Sequence, residues 1–350
     1  MNFKEFTVPS DFSGNKRLDQ FIASVPDGMN RSRLKSVEKG IFVNGKTEKL
    51  SFKVKSGDKI KILWEENLPS KFEPENIPLD IIYEDKNVCV INKKQGMVCH
   101  PACGNWNGTL VNALLYHWGK NSINELNPED SSQSEILENR RPGIVHRLDK
   151  ETSGIIITAK NPETHDFLAA QFKNHKSIQK EYIAICLGRP PQKIGTIKTQ
   201  IIRDPKNRKQ FKAVLDTDSG KFAETHYKCV ACYGEYSLMR LRIKTGRTHQ
   251  IRVHLKFINC PILGDSIYSK KDKNFPTASL MLHSKILKIK LPDFSNKNGD
   301  FKISENDESK NSENKSNESK IIKFQTKTPE RFKKVMKILH RNYKKVILQD

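Results

Sequence analysis

The chain has 350 residues, long enough for one large domain and a small one, each with its own core. Lys and Arg outnumber Asp and Glu by 62 to 40, for a net charge of +22, which favours polyanionic partners and makes a nucleic acid the expected one. No run approaches the roughly 20 apolar residues of a membrane span, the N-terminal MNFKEFTVPSDFSG lacks the features of a secretory leader, and seven scattered cysteines do not form a disulfide framework. The expected setting is the cytosol, away from any membrane.

Residues 16 to 38 predict two short helices. Leu18, Phe21, Ile22 and Val25 fall at helical spacing until Pro26-Asp27-Gly28 breaks the run. A second helix starts near Asn30 or Ser32, turns Leu34 and Val37 inward and stops at Gly40. IFVNGK and KVKSGDKIKI then alternate around turn signals at Asn44-Gly45 and Ser56-Gly57-Asp58, which predicts hairpins. Lys16, Arg17, Arg31, Arg33 and Lys35 lie off the apolar positions and give this unit a basic face. GIFVNGKT, residues 40 to 47, satisfies the pattern of a phosphate-binding P-loop, but its interior reads as a strand and the residues after it alternate like another strand. Residues 65 to 78 carry three prolines and no periodicity, and read as a linker, most clearly over 69 to 77.

From Leu79 onward strands and helices mix. The expected elements are IIYED, VCVINK, a helix from Thr109 to about Trp118, GIVHR, GIIITAK, a helix near Pro162 to Phe172, and EYIAICLG. A hairpin over FAETHYKCVACYGEYSLMRLRIKT, a helix in THQIRVHLKFI and a tail helix come next. In the tail helix Thr328 caps, Pro329 takes the first position, and Phe332, Val335, Met336 and Leu339 form the stripe. Strands predominate, so the fold class is α+β with a large, mixed, mainly antiparallel sheet, preceded by the small α/β unit. Residues 119 to 139 and 295 to 319 are rich in Asn, Ser, Glu and Lys and read as polar insertions.

The most informative segment is RPGIVHRLDKETSGIIITAK, residues 141 to 160. Two apolar strands are expected to flank a loop that presents His146, Arg147 and Asp149 on a rigid support, as catalytic groups commonly are presented. The bland alternative is a surface turn in which Asp149 pairs with Arg147 or Lys150. Two cysteine pairs, Cys229-x-x-Cys232 and Cys99-His100-x-x-Cys103, could make a zinc site. However, Cys229 and Cys232 are expected on opposite faces of an alternating strand, so buried thiols are the simpler reading and no metal is expected.

GIVHRLDKETSG resembles the HRLD-x-x-TSG signature of the RluA/RluC/RluD-type pseudouridine synthases. YEDKNVCVINKKQGMVCHP (83 to 101), KEYIAICLG (180 to 188) and LRIKTGRTHQIRVHLKFINCPILGD (241 to 265) resemble further blocks of that family in the same order, with Lys94 where the family usually has a proline. Residues 1 to 68 resemble an S4 RNA-binding domain, with VNGK in its hairpin, and 78 to 350 the catalytic domain. The resemblance implies breakage of the N1–C1′ bond of uridine, rotation of the base and joining of C5 to C1′, without cofactor or metal. It implies that Asp149 is the essential carboxylate, whether it attacks the sugar or removes the 2′ proton.

A glycosidase needs two acids because water must be activated; here the base itself returns as nucleophile. A carboxylate in a closed pocket is pushed toward protonation unless a guanidinium opposes it. The resemblance supplies Arg247, expected in the first turn of the THQIRVHLKFI helix. Arg252 is expected to be structural or phosphate-binding.

Tyr182 is either a packing residue or, as the resemblance implies, the ring on which a flipped uracil stacks and a hydroxyl near the C5 proton. In its strand Ile183, Ile185 and Leu187 are expected to face the core and Tyr182, Ala184 and Cys186 the other side. Arg147 is expected to enter the RNA; His146 is an RNA contact or a loop hydrogen bond; Arg17, Arg31, Ser32 and Lys35 contact RNA from the small unit. The expected enzyme is a monomer acting on large-subunit ribosomal RNA, with transfer RNA as the alternative. The rivals are a non-catalytic RNA-binding or ribosome-assembly protein and an RNA glycosylase or nuclease.

Overall fold

The computed structural model describes residues 2–12, 15–25, 28–29, 34, 40–64, 73–101, 105–119, 143–174, 177–207, 210–215, 219–292 and 321–347. Arg31, Ser32, Lys35, most of the second N-terminal helix and nearly all of both polar insertions lie outside them, as do residues 69 to 72 of the linker. The chain divides into two compact units, Met1–Ser70 and Lys71–Asp350. No helix among the described residues is long and apolar enough to cross a membrane.

In the small unit β1 (Asn2–Thr7), β2 (Ile41–Val43), β3 (Lys46–Thr47) and β4 (Lys59–Trp64) form an antiparallel sheet in the order β1-β4-β2-β3. The helix α1 (Leu18–Ile22) buries Leu18, Phe21 and Ile22 with Ile41, Val43, Ile60 and Ile62. Arg17 is not on this helix but at its N-cap, in extended backbone, where Nε donates to Asp19 at 3.0 Å. The P-loop pattern is a hairpin: Asn44 and Gly45 both have positive φ (51° and 79°), the requirement of a two-residue turn matched to strand twist. The Asn44 amide fixes the turn by donating to Asp58 and accepting from the Lys59 N–H.

The large unit is built on β5 (Ile81–Glu84), β6 (Val88–Lys93), β7 (Ser153–Ala159), β8 (Gln179–Leu187), β9 (Ile194–Arg203), β10 (Phe211–Val214), β11 (Lys221–Tyr233), β12 (Tyr236–Ile243) and β13 (Leu282–Lys290). They join in the order β10-β9-β11-β12-β8-β13-β7-β6-β5, with β14 (Ile321–Gln325) on β13 and β15 (Lys345–Val346) on β11. Among the described residues the one parallel contact is β13 with β7, through His283–Ser153 and Ser284–Gly154. The fold is α+β with a mixed, mainly antiparallel sheet.

Among the described residues four helices flank it: α2 (Leu110–His117), α3 (Pro162–Asn174), α4 (Gln250–Phe257) and α5 (Glu330–Asn342). Thr109 caps α2 in a reciprocal box with Asn112. α5 begins one residue later than its sequence suggests: Pro329 is the N-cap, and the Thr328 hydroxyl accepts from Lys285 Nζ instead of capping. Two further expectations change. GIVHR is not a strand, since Ile144 makes a single bridge to Thr158 and the segment otherwise runs irregularly. Cys229 and Cys232 do not face opposite ways. A bulge between Cys229 and Ala231 inserts the exposed Val230, resets the alternation and brings the two sulfurs to 3.6 Å, both buried.

Candidate active site

Asp149 lies at the end of the irregular 143–152 loop, just before β7, and the loop is pinned from three sides. Leu148 is buried, its N–H donates to Cys99 Sγ, and the thiol donates back to the Leu148 carbonyl. The buried Lys93 Nζ donates to the carbonyls of Lys94, Met97 and Lys150, and the Gln95 amide donates to that of Glu151. Burial draws the Lys93 ammonium down to about 8. The Thr152 N–H closes the turn on the Asp149 carbonyl at 3.0 Å. The backbone that carries Asp149 is therefore over-determined, and its side chain keeps 19% exposure.

The opposite wall is the segment leading into α4. Gln250, buried, organises it: its carbonyl accepts from Thr245 Oγ1 and the Arg247 N–H, and its NH2 donates to the Glu224 carbonyl and Thr225. His249 is the N-cap in left-handed conformation (φ 55°, ψ 16°), and the helix begins only at Gln250. Arg247 therefore precedes the helix instead of sitting in its first turn. It is exposed, and its Nε donates to the Phe222 carbonyl at 2.9 Å.

The guanidinium that meets Asp149 is Arg252, with Nη1 3.3 Å from Oδ2. The expected pairing with Arg247 is corrected on this point, because the shift of the helix start moves Arg247 out of line and brings Arg252 in. The other edge of Arg252 makes a two-pronged contact with Asp265, Nε to Oδ2 and Nη2 to Oδ1, both 2.8 Å. Arg252 is 5% exposed and Asp265 fully buried. Asp265 also accepts the N–H groups of Ile267 and Tyr268. Burial works to lower the Arg252 pKa, but Asp265 and then Asp149 outweigh it and raise the value, so the cation is secure.

Asp149, Tyr182, Arg147 and Arg247 line one open pocket of about 90 Å³ together with Thr152, His249 and Arg252. On β8 Tyr182, Ala184 and Cys186 are buried, against the sequence expectation, but so is Ile185 as expected, while Ile183 and Leu187 are half-buried. Tyr182 thus reaches the pocket from the core. Burial raises its phenol well above 10, a bond with Ser284 opposes this and Asp149 adds to it, so the hydroxyl keeps its proton. Arg147 is exposed at the rim. His146 turns inward: it stacks on Phe172 with centroids 4.3 Å apart, Nε2 accepts the Ile157 N–H at 3.0 Å, and burial followed by Lys180 lowers it to about 3. Of the two roles expected for His146, the hydrogen bond that holds the loop is made, to the Ile157 N–H.

Beside the pocket, sharing Gly246, Arg247 and Thr248 with it, runs a second hollow lined by Arg203, Phe211 and Lys221. Its basic rim carries an aromatic ring, with the Arg203 guanidinium 4.8 Å over Phe211. Sequence reasoning missed Lys93, His249 and Asp265, and underrated Arg252. The signal is structural: every residue of α4 from Gln250 to Leu255 is buried, and a buried arginine needs a carboxylate.

One carboxylate, with no second acid lining the pocket among the described residues, suits a reaction that rearranges a bound group without activating water. Fold and site together define an enzyme of the isomerase kind with a basic approach. The family model for RNA pseudouridylate synthase matches residues 87–257. The ribosomal large subunit pseudouridine synthase D of Borreliella burgdorferi is 45% identical over 292 residues, covering 82% of this chain and 85% of that protein. The protein of the same description from Zymomonas mobilis is 40% identical over 261 residues, 73% and 78% of the two chains. The solved structure of human RNA pseudouridylate synthase domain containing 1 superposes with a TM-score of 0.53 at 19% identity, covering 79% of this chain and 92% of its own, and so shares the fold. The chain belongs to the RNA pseudouridine synthase family, in its RluA/RluD-type branch.

Proposed function

We propose that this RNA pseudouridine synthase isomerises uridines of large-subunit ribosomal RNA, with Asp149 as the essential carboxylate. The observation that carries the reading is the Asp149 carboxylate held on Oδ2 by the buried Arg252 in a pocket also lined by Tyr182. In the reaction the N1–C1′ bond breaks, the detached base turns over Tyr182, C5 bonds to C1′, and the C5 proton leaves as N1 takes one up. No atom is gained or lost. Extruding the base costs a few kcal/mol, least from a loop, which favours loop uridines.

Arg147 at the rim fits the role of wedge, and Arg247 with Arg203 and Lys221 fits contacts to flanking phosphates. The small unit reads as an S4-like RNA-binding domain whose Arg17, with Arg31, Ser32 and Lys35, touches RNA. Ribosomal RNA is favoured by the names of the relatives, transfer RNA is the alternative substrate, and the setting is a cytoplasmic monomer.

The test is to delete the gene, map pseudouridines across ribosomal and transfer RNA, and complement with wild type or Asp149→Asn. Large-subunit sites should vanish, return with wild type and stay absent with the variant. If every ribosomal site persists without the gene, the substrate assignment fails; if Asp149→Asn restores them, Asp149 is not the essential group.

A further inference from the structure

The proposed mechanism leaves His249 unused, although it stands between the pocket and a half-buried chain of hydrogen bonds. Its backbone is left-handed, a conformation that few residues besides glycine adopt and that Asn, Asp and His adopt most readily, and its imidazole caps no helix N–H. The turn instead aims the ring so that Nε2 lies 3.8 Å from Asp149 Oδ2, the oxygen that Arg252 also engages. Behind it, Nδ1 is 2.9 Å from the Tyr268 hydroxyl oxygen. That oxygen already accepts the Phe211 N–H, also at 2.9 Å. With this acceptor site filled, the hydroxyl proton is directed to Nδ1, and a neutral imidazole that accepts at Nδ1 carries its own proton on Nε2. Burial lowers the His249 pKa and keeps the ring neutral; Asp149 opposes that and Arg252 supports it. Phe211 and Tyr268 each meet the ring edge-on, with centroids 5.6 Å apart, and fix its plane.

We propose that His249, locked by Tyr268 as its Nε2–H tautomer, is a positioning residue that donates to Asp149 Oδ2 in the substrate complex. The inference rests on Asp149 being the essential carboxylate. At 3.8 Å the bond is not yet made, and contacts of this kind commonly tighten only when substrate is bound. With Arg252 and His249 both on Oδ2, the carboxylate cannot rotate, and Oδ1 is the oxygen left for the sugar. The chain Phe211 N–H, Tyr268 O–H, His249 N–H also ties the carboxylate to the β9–β10 hairpin, whose Arg203 and Phe211 line the neighbouring basic hollow. RNA lying in that hollow would steady the hairpin and, through Tyr268, the catalytic oxygen.

Long-range 15N–1H spectra of the full-length, histidine-labelled protein read the tautomer directly, the His249 signal being the one lost in His249→Asn. The expected pattern is a protonated Nε2 and an acceptor Nδ1, giving way to a mixture in Tyr268→Phe. Single-turnover kinetics on an RNA substrate should show Tyr268→Phe and His249→Asn about 10- to 100-fold slower with KM within about twofold, and His249→Gln, whose amide N–H reaches as far as Nε2, restoring part of the loss. A protonated Nδ1 in the wild type, a tautomer indifferent to Tyr268→Phe, or His249→Asn turning over at the wild-type rate overturns the proposal. Asp149→Asn run beside them separates the two failures, because an active Asp149→Asn sinks the underlying reading whatever the tautomer.

Discussion

Replacing Arg252 by methionine separates the roles of the two arginines at this site. Arg252→Met removes the 3.3 Å contact with Asp149 and both 2.8 Å bonds to Asp265. At an effective dielectric of about 20 the gross attraction across 3.3 Å is about 5 kcal/mol, but the net value of a hydrogen bond to a charged group is about 1.5–3 kcal/mol. If that bond orients Asp149 for the chemical step, the single-turnover rate falls about 10- to 150-fold, at 1.4 kcal/mol per decade. Stability suffers separately, because Asp265 is left as a fully buried carboxylate with only two backbone N–H donors, and orphaning one member of a buried pair costs about 3–5 kcal/mol. In a unit of this size that lowers Tm by about 6–20 °C, so the assay must run well below the new midpoint.

Arg247→Met provides the contrast. It gives up one exposed bond to the Phe222 carbonyl and should leave Tm and the chemical step near wild type while weakening RNA affinity. Single-turnover rates under saturating enzyme, with RNA binding measured in parallel, distinguish the two. A folded Arg252→Met that reacts at the wild-type rate, beside an Arg247→Met that binds RNA normally but does not react, would refute this assignment.

Two further outcomes concern stability. Burial lowers His254 to about 4, and burial followed by Arg331 and Lys285 lowers His283 to about 3, against about 6.5 when unfolded. Between those values the unfolded chain binds more protons, so stability is complete above pH 6.5 and is lost as the pH falls toward 4. From pH 7 to pH 5 each histidine removes about 2 kcal/mol, and a urea midpoint flat across that range would contradict their buried neutral state. Gly154→Ala should destabilise by about 3 kcal/mol or more, because φ is +115° there and a Cβ would meet the Ser284 carbonyl oxygen at 2.2 Å where β7 and β13 run parallel. Near-normal denaturation of that variant would mean the crossing can open without cost.

The parts of this molecule legible in the sequence are those governed by local rules. The Asn44-Gly45 hairpin follows from a turn that needs two positive φ values, and α2 follows from Thr109 and its apolar run. What was misread turns on single residues whose backbone breaks the local period. Val230 is one: in KCVACY both faces read as apolar, so an inserted residue leaves no mark on the pattern, yet it swings Cys232 onto the side of Cys229. His249 is the other. Counting α4 from Thr248 assumes right-handed backbone throughout; the left-handed turn delays the helix to Gln250 and hands the carboxylate from Arg247 to Arg252. Nothing in the letters T-H-Q-I-R signals that turn, because it is imposed from outside, by Gln250 reaching to β11 and by Tyr268 holding the ring. Recognising a motif locates the block that bears the arginine; only the packing of α4 against Asp265 decides which arginine is buried, and a buried guanidinium already tied on one edge has a single edge left to offer Asp149.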